Sequence, residues 1–187
     1  MTKKILPTPE QLRELLTYDP KTGKLFWKER PERMFKDTPG RTKEHAHANW
    51  NSRYAGKEAF TAAHGEGYRQ GLVFGWPYLA HRVIWAIVYG EWPVNDIDHI
   101  NMDRSDNRLA NLRHATRGEN TCNRGAQINN TSGFKGVTWD KRSMKWMAQI
   151  GAFGKNHNLG LFATAEEAHA AYRSASQRMH GEFSRTS

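Results

Sequence analysis

The sequence predicts an α+β protein built from short helices and short strands. Three helix starts share one signature, in which a capping Thr is followed three residues later by Gln or Glu. They begin at Thr8, Thr116 and Thr164. Between residues 54 and 78, glycines separate short runs that are typical of strands joined by tight turns. Three further strand-like runs precede the last helix start, so we expect a final three-stranded antiparallel sheet packed on one helix.

Residues 1–79 are predicted to form a mixed α/β region that opens with a helix and a strand. The helix runs from about Pro9 to Thr17, because three leucines fall on one of its faces. A turn containing Asp, Pro and Gly then leads into a strand from Lys24 to Lys28.

Residues 29–52 are polar and charged, and prolines and a glycine interrupt any periodic pattern. We expect an exposed basic loop here, which would become ordered against a phosphate backbone. His45 and His47 lie two residues apart in this segment, so a metal-binding pair is the alternative.

Residues 80–89 are the most apolar stretch of the chain. Their length and the Gly90 that follows predict a buried helix with a glycine cap, and a strand is the alternative. His81 and Arg82 fall in the first turn of this helix. For His81 two roles are open, a packed and hydrogen-bonded histidine or a catalytic residue.

The chain is strongly basic. Its 28 Lys and Arg outnumber 19 Asp and Glu, which gives a net charge of +9 and a sequence pI near 9.8. This balance favours a polyanionic partner, because each neutralised phosphate releases condensed counterions. A soluble basic protein without such a partner is the alternative, but seven Trp and six Tyr are spread among the basic residues.

A single cysteine, Cys122, excludes an internal disulfide and a cysteine-based zinc knuckle. The N-terminal residues lack the apolar core of a signal peptide, and no apolar run is long enough to span a membrane. We therefore expect a soluble, cytoplasmic protein without a membrane partner.

Residues 97–124 combine a strand, a polar loop, a second strand and a helix. The first strand ends a short run that begins at Val94, and the second covers Leu109 to Arg113. The helix starts at Thr116. The four polar residues of interest in these elements are Asp98, His99, Asn111 and Asn120, and together they bring an imidazole, a carboxylate and an amide oxygen towards one place. The helix also carries Asn123 and Arg124.

These groups suit phosphodiester hydrolysis with one hard metal ion. Asp98 and Asn120 offer oxygen ligands, which suit magnesium or manganese better than zinc. His99 can take a proton from water near neutral pH, and Asn111 would tie down the loop through side-chain-to-backbone hydrogen bonds. Neighbouring residues of a regular strand point to opposite faces, so Asp98 and His99 reach one site only if the strand ends or bends there.

The ordered set of motifs resembles the HNH (ββα-metal) nucleases, especially the phage and intron-encoded homing endonucleases. The matching motifs are His81-Arg82, Asp98-His99, Asn107-Arg108, Asn111-Leu112-Arg113, Glu119-Asn120 and Asn123. The resemblance implies a ββα-metal core in which His99 is the general base and Asp98 and Asn120 bind Mg²⁺ or Mn²⁺. It implies that Asn111 fixes the loop, while Asn120 stands where other branches of the family have His.

Two further assignments complete the expected core. We include His81 among the catalytic candidates. We include Arg82 and Arg124 among the residues expected to contact DNA.

The C-terminal residues form a separate predicted module. Strands are expected at 134–139, 145–152 and 157–162, followed by a helix that ends at Gly181. This module resembles the ethylene-response-factor (APETALA-type) DNA-binding domain, which is also found fused to phage HNH nucleases. The matching residues are Lys135-Gly136-Val137, Lys145-Trp146, Ala148-Gln149-Ile150, Leu159-Gly160, Phe162 and Ala171-Tyr172.

In that family the outer face of the sheet lies in the DNA major groove. Thr138 and Asp140 stand where the plant domains usually have Arg, so backbone contact is favoured over base readout. Trp146 is either a DNA contact or a packing residue between sheet and helix. The candidate DNA-binding residues of this module are Lys135, Trp139, Lys141, Arg142, Trp146, Gln149 and Lys155.

The whole sequence predicts a metal-dependent DNA endonuclease from a phage or mobile element, acting in the bacterial cytoplasm on double-stranded DNA as a monomer or homodimer. A DNA-binding regulator with an inactive nuclease core is the alternative, and an RNA-binding module is a third interpretation. The predicted domains are a DNA-contacting α+β region at 1–79, the nuclease core at 80–124, a linker at 125–132 and the DNA-binding domain at 133–187.

Overall fold

The computed structural model describes residues 6–122 and 130–184, apart from the side chains of residues 121 and 122. The chain divides into two compact units, residues 1–114 and residues 115–187. Both units mix helices with small sheets, so the predicted α+β class is confirmed.

The described part of the first unit holds three helices and three small sheets. The helices are α1 (Pro9–Leu15), α2 (Lys43–Tyr54) and α3 (Ala80–Tyr89), and short 3-10 turns lie at Glu32–Met34 and Leu109–Asn111. The strands are β1 (Leu16–Asp19), β2 (Lys24–Trp27), β3 (Glu58–Ala59), β4 (Ala62–Ala63), β5 (Arg69–Val73), β6 (Trp76–Leu79), β7 (Asp96–His99) and β8 (Leu112–Ala115). The sheets have the orders β1-β2-β3, β4-β5-β6 and β7-β8.

Helix α3 supplies much of the core of the first unit. Its Val83, Ile84 and Ala86 are fully buried and belong to the same apolar cluster as Leu12 of α1. The helix ends at Gly90, whose left-handed φ of 78° is accessible to glycine without strain. The predicted buried helix with a glycine cap is confirmed.

The N-terminal helix is shorter than predicted. Thr8 caps α1, and Gln11 completes the capping box as expected. The extension of the helix to Thr17 is wrong, because Leu16 already has the extended backbone angles of −134° and 145°. Leu16 instead begins β1, which pairs antiparallel with β2.

Helix α2 corrects the interpretation of residues 29–52 as an exposed loop. Thr42 caps this helix by accepting a hydrogen bond from the backbone of His45, but no residue of the helix is buried. The helix is attached instead through Trp50, whose ring lies 5.7 Å from that of Trp27 and 3.8 Å from the Arg30 guanidinium. Because α2 is attached through these contacts and buries no face, its sequence shows no apolar stripe.

The alternative metal pair in this segment is also not formed. His45 is exposed, whereas the ring of His47 lies 5.6 Å from that of Phe35. Residues two apart on a helix do not face each other, so the two imidazoles cannot share one ion.

The hairpin of β1 and β2 supports the loop that follows β7. The Tyr18 hydroxyl donates to the Asn107 carbonyl oxygen at 3.1 Å and accepts from the Leu109 backbone N–H at 2.9 Å. Gly23, at the turn of the hairpin, has a φ of 73° and lies so close that a Cβ there would be 2.5 Å from the Arg108 nitrogen. The N-terminal hairpin therefore holds a segment more than 80 residues further along the chain.

The two strands of the central segment differ in part from the prediction. β7 begins at Asp96, and Val94 lies before it with 92% of its surface exposed. The predicted strand at 109–113 is a 3-10 turn followed by β8, which starts at Leu112. A strand–loop–strand arrangement is nevertheless present, with Asp98 and His99 at the end of β7.

The described part of the second unit begins with a short helix and ends with a sheet packed on a long one. Its elements are α4 (Arg117–Cys122), β9 (Val137–Asp140), β10 (Lys145–Ala152), β11 (Lys155–Phe162), α5 (Ala165–His180) and a 3-10 turn at Gly181–Phe183. The sheet is antiparallel with the order β11-β10-β9, and buried residues of α5 such as Ala168 pack on Val137 and Ala148. The predicted three-stranded sheet on one helix is confirmed.

The strand limits of this sheet differ slightly from the prediction. β9 starts at Val137 rather than 134, and β11 starts at Lys155 rather than 157. Residues 123–129, with Asn123, Arg124 and most of the predicted linker, lie outside the described residues. No helix within the described ranges has the length and apolar character needed to cross a membrane.

The contact between Gly23 and the Asn107–Arg108 backbone predicts a large effect of Gly23→Ala. Gly56→Ala is the matched control, because Gly56 has a similar φ of 75° but no atom within 4 Å of the position that a Cβ would occupy. Both changes should cost about 1–2 kcal/mol for the left-handed backbone. Gly23→Ala should cost about 1–3 kcal/mol more, because the loop backbone must move. Urea unfolding followed by tryptophan fluorescence measures both, and equal losses would contradict the close packing.

Candidate active site

The candidate site lies at the end of β7. Asp98 and His99 are its last two residues, and only 5% and 3% of their surfaces are exposed. The strand ends at this pair, as required for both side chains to serve one site. Within the strand the two side chains meet different neighbours, Arg113 for Asp98 and Asn107 for His99.

Asp98 forms a buried ion pair with Arg113. The Nε atom of Arg113 donates to Asp98 Oδ2 at 2.9 Å, and its terminal nitrogen lies 2.8 Å from the same oxygen. The side chains are only 6% and 13% exposed, so water screens the pair weakly. Arg113 therefore compensates a buried carboxylate charge and fixes its orientation.

His99 is held by a hydrogen bond and by two aromatic neighbours. Its Nε2 atom lies 3.1 Å from Asn107 Oδ1, and its ring centroid is 5.8 Å from that of Tyr68. Burial lowers the pKa of His99 below its usual value, although the bond to Asn107 and the nearby Asp98 oppose this shift. A neutral imidazole near neutral pH is the form that a general base requires.

His81 packs edge-on against His99. The two ring centroids are 5.1 Å apart with an interplanar angle of 86°, and His81 is 4% exposed. Burial lowers the pKa of His81 to about 3, and repulsion from His99, when His99 is protonated, and from Arg82 acts in the same direction. Its Nδ1 atom has no hydrogen-bond partner within the described structure. His81 is therefore a packed histidine, but among the described residues the hydrogen bond expected for such a residue is absent at Nδ1. A catalytic role for His81 stays a prediction.

Asn111 ties together the two ends of the loop between β7 and β8. Its Oδ1 accepts from the Asn101 backbone N–H at 2.9 Å, and its Nδ2 donates to the Asp106 carbonyl oxygen at 2.8 Å. Its own carbonyl oxygen accepts from the Ile100 N–H at 2.9 Å. These are side-chain-to-backbone bonds of the kind expected for a residue that fixes the loop.

Asp106 adds a second set of bonds within the same loop. Arg108 donates to it through Nε and a terminal nitrogen at 2.8 and 2.6 Å, and Asn101 donates at 2.8 Å. The hydrogen bonds from Arg108 are the largest cause that lowers the pKa of Asp106 to about 2. The carboxylate therefore stays charged and holds the loop at any pH near neutrality.

Arg82 has a structural contact in addition to its predicted role. Its guanidinium donates to the carbonyl oxygens of Asn95 and Pro93, at 3.1 and 2.8 Å. These bonds join α3 to the segment that enters β7. DNA contact by Arg82 stays a prediction.

Asn120 lies on α4, in the second compact unit. The capping box that starts this helix is present, because Glu119 accepts from the Thr116 N–H at 2.7 Å and the Thr116 hydroxyl accepts from the Glu119 N–H at 3.3 Å. Joint binding of a metal by Asp98 and Asn120 stays a prediction.

The oxygen donors of Asp98 and Asn120 suit a hard divalent ion. A carboxylate and an amide oxygen suit magnesium, which keeps several waters and takes further ligands from phosphate. The described residues contain no cluster of three or more His, Cys, Asp or Glu that could hold a metal by themselves.

The sequence did not predict the contacts that three residues make with the proposed catalytic residues. Tyr68 contacts both His81 and His99, at 5.1 and 5.8 Å between ring centroids. Asn107 and Arg113 belonged to recognised motifs, but the residues that they bind were not predicted. Tyr68 lies in a glycine-rich strand segment, where no local pattern marks an active-site residue.

The register of the C-terminal sheet separates its predicted DNA-binding residues. Directly paired residues of an antiparallel sheet share one face. Val137 pairs with Ala148 on the face covered by α5, and Trp139 pairs with Trp146 on that same face. The two tryptophans therefore lie on the face covered by the helix rather than on the outer face, and Trp146 packs between sheet and helix, which was one of its two expected roles. DNA contact by Trp139 and Trp146 stays a prediction.

The other candidates occupy different places in this module. Gln149 pairs with Asn158 on the outer face, whereas Lys155 pairs with the buried Ala152 at the exposed end of the sheet. Lys141 and Arg142 are exposed in the turn between β9 and β10, and Lys135 is half-buried before β9. DNA contact by each of these residues stays a prediction.

Comparison with known proteins agrees with this architecture. The family model for the HNH endonuclease matches residues 78–122, and the model for the AP2 domain matches residues 132–182. The chain therefore contains an HNH endonuclease domain and an AP2 domain. It is also 35% identical over 106 residues to "Protein 3.8" of Escherichia phage T7, an overlap that covers 56% of this chain and 87% of the phage protein. No solved structure matches the chain significantly.

The buried, neutral state of His81 predicts a pH-dependent stability. Below the ordinary histidine pKa of 6.5 the unfolded chain takes up a proton at His81, but the folded chain does not until about pH 3. The folded state therefore loses stability as the pH falls through this window. The loss is at most about 1.4 kcal/mol per pH unit for one proton.

His81→Leu should reduce this loss, because leucine cannot take up the proton. Urea unfolding at several pH values between about 7 and 4.5 measures the difference. His45→Gln is the control, because His45 is exposed on α2. Parallel stability curves for wild type and His81→Leu would contradict the burial of a neutral imidazole.

Proposed function

We propose that the protein is a metal-dependent DNA endonuclease in which His99 is the general base. The observation that carries this proposal is the buried Asp98-His99 pair at the end of β7, with a histidine whose pKa is lowered by burial. The pair lies within the segment that matches the HNH family. A water molecule attacks the scissile phosphorus, His99 accepts the water proton, and the phosphodiester bond to the leaving oxygen breaks.

Asp98 and Asn120 are the proposed ligands of one Mg²⁺ or Mn²⁺ ion. When bound, the ion supplies stabilisation of the negative charge on the phosphate and the leaving oxygen. Arg113 holds the Asp98 carboxylate through Oδ2, so the ligand is already oriented in the folded protein. Two features support these ligands: both supply the oxygen atoms that hard ions prefer, and the Asp98 carboxylate is buried.

The AP2 domain is the proposed DNA anchor. Its sheet presents Gln149 on the face opposite α5, and Lys141 and Arg142 extend the same module with two exposed cations. With Thr138 and Asp140 in place of arginines, we expect phosphate contacts to contribute more than base contacts. The exposed cations Arg53 of α2 and Lys36 and Arg41 of the preceding segment support DNA contact by the N-terminal region as well.

The proposed substrate is double-stranded DNA in a bacterial host cell, and the similarity to a phage protein supports this setting. One catalytic site per chain gives a nick in one strand. A double-strand break then requires a homodimer or two successive nicks.

Nicking of supercoiled plasmid in the presence of magnesium tests the catalytic proposal. His99→Ala and Asp98→Ala should each lower the nicking rate at least about 100-fold, because general-base and metal contributions are of that size. Glu91→Gln is a surface control, since Glu91 is exposed after α3 and should leave the rate unchanged. DNA binding by His99→Ala should persist in a gel-shift assay. Equal nicking by wild type and both active-site variants would refute the assignment.

The same assay addresses the alternative of a DNA-binding regulator. Such a protein would bind plasmid but leave it supercoiled with either magnesium or manganese. A preference for RNA over DNA at matched salt would instead favour the RNA-binding interpretation.

The salt dependence of DNA binding tests the anchoring role of the turn between β9 and β10. The double variant Lys141→Ala/Arg142→Ala should lower the slope of log affinity against log salt by about 1.8, if each cation neutralises one phosphate. Arg173→Ala is the matched control, because Arg173 is an exposed cation on α5. An unchanged slope in the double variant would exclude this turn from the phosphate contacts.

A further inference from the structure

A general base must present a lone pair, and a neutral imidazole has only one. One ring nitrogen carries a proton and the other is the proton acceptor, so the tautomer decides which atom can act as base. His99 is buried, and its Nε2 atom is 3.1 Å from Asn107 Oδ1. If the partner of Nε2 is a hydrogen-bond acceptor, Nε2 carries the ring proton and Nδ1 carries the lone pair.

The orientation of the Asn107 amide follows from its second contact. Its Nδ2 atom donates to the Ser105 carbonyl oxygen at 3.3 Å, and only the nitrogen end of an amide can donate to a carbonyl. The end that faces His99 is therefore the oxygen, which can only accept. Nε2 must supply the proton for this bond, and the lone pair of the ring then lies on Nδ1.

Asn107 is itself fixed by the N-terminal hairpin. It is 3% exposed, and its carbonyl oxygen accepts from the Tyr18 hydroxyl at 3.1 Å. The same hydroxyl accepts from the Leu109 N–H at 2.9 Å, so its donor and its acceptor are both used. Gly23 closes the contact by allowing the hairpin turn to approach the Asn107–Arg108 peptide.

We propose that Asn107 is the positioning residue that sets the His99 tautomer to Nε2–H, and that Tyr18 holds Asn107 in place for this role. The inference rests on the proposed function in one respect, that His99 is the base. It assigns a role in the reaction to the N-terminal hairpin, which holds a residue that orients the base. Proton transfer from the attacking water then occurs at Nδ1 of His99.

Nitrogen-15 NMR of the histidine rings in the full-length protein tests the tautomer directly, without any activity. Protonated and unprotonated ring nitrogens have well-separated shifts, and the His99 signals are identified by their loss in His99→Gln. Wild type should show a single Nε2–H tautomer for His99. A ring protonated at Nδ1 would overturn the proposal, and this measurement needs no folded variant of Asn107.

Variants of Asn107 test whether the tautomer depends on that residue. Asn107→Leu removes the acceptor at similar volume, so the two ring nitrogens should move towards averaged shifts and the nicking rate should fall about 10- to 100-fold. Asn107→Asp keeps an acceptor oxygen and should recover the Nε2–H tautomer and most of the rate. Tyr18→Phe, which removes only the hydroxyl, should give a smaller change in the same direction.

The outcomes separate this inference from the proposed function. If His99→Ala nicks as fast as wild type, the catalytic proposal fails whatever the tautomer is. If wild type nicks but Asn107→Leu retains an unaveraged Nε2–H tautomer, the role of Asn107 fails while the endonuclease proposal stands. An Asn107→Asp variant that behaves like Asn107→Leu would also overturn the role of Asn107.

Discussion

The candidate site depends on hydrogen bonds that hold the loop between β7 and β8. This loop is polar and contributes little to the apolar core, so burial of apolar surface cannot define its shape. Asn111 joins its two ends, Asp106 joins its middle, and Asn107 connects it to His99. Buried amides with all their bonds made give a single well-defined conformation, whereas partly satisfied ones are costly.

Two buried ionisable groups near the end of β7, Asp98 and His81, are accommodated in different ways. The Asp98 carboxylate is paired with the Arg113 guanidinium, whereas burial lowers the pKa of His81 and holds its imidazole neutral. His99 lies between these two, near enough to Asp98 to gain some basicity and buried enough to remain neutral. The environment of the proposed base is thus set by its neighbours on both sides.

The features of this fold that the sequence predicts are those held by interactions between residues close together in the chain. Capping boxes at Thr8 and Thr164 and the glycine cap of α3 are local, so short sequence patterns were sufficient to predict them. Helix α2 was missed because its attachment through Trp50 and Arg30 joins distant segments and leaves no periodic pattern. The contact of Tyr68 with His99 was missed for the same reason.

The Tyr18 bond has a consequence for how the chain reaches its active form. It joins residues 89 positions apart, so the loop that this bond closes is entropically costly to form. The segment matched by the HNH family begins at residue 78, so it contains neither Tyr18 nor Gly23. Part of the framework that holds the Asn107 loop therefore lies outside the recognisable nuclease motif. A transplanted motif would carry its reactive groups without the framework that orders them.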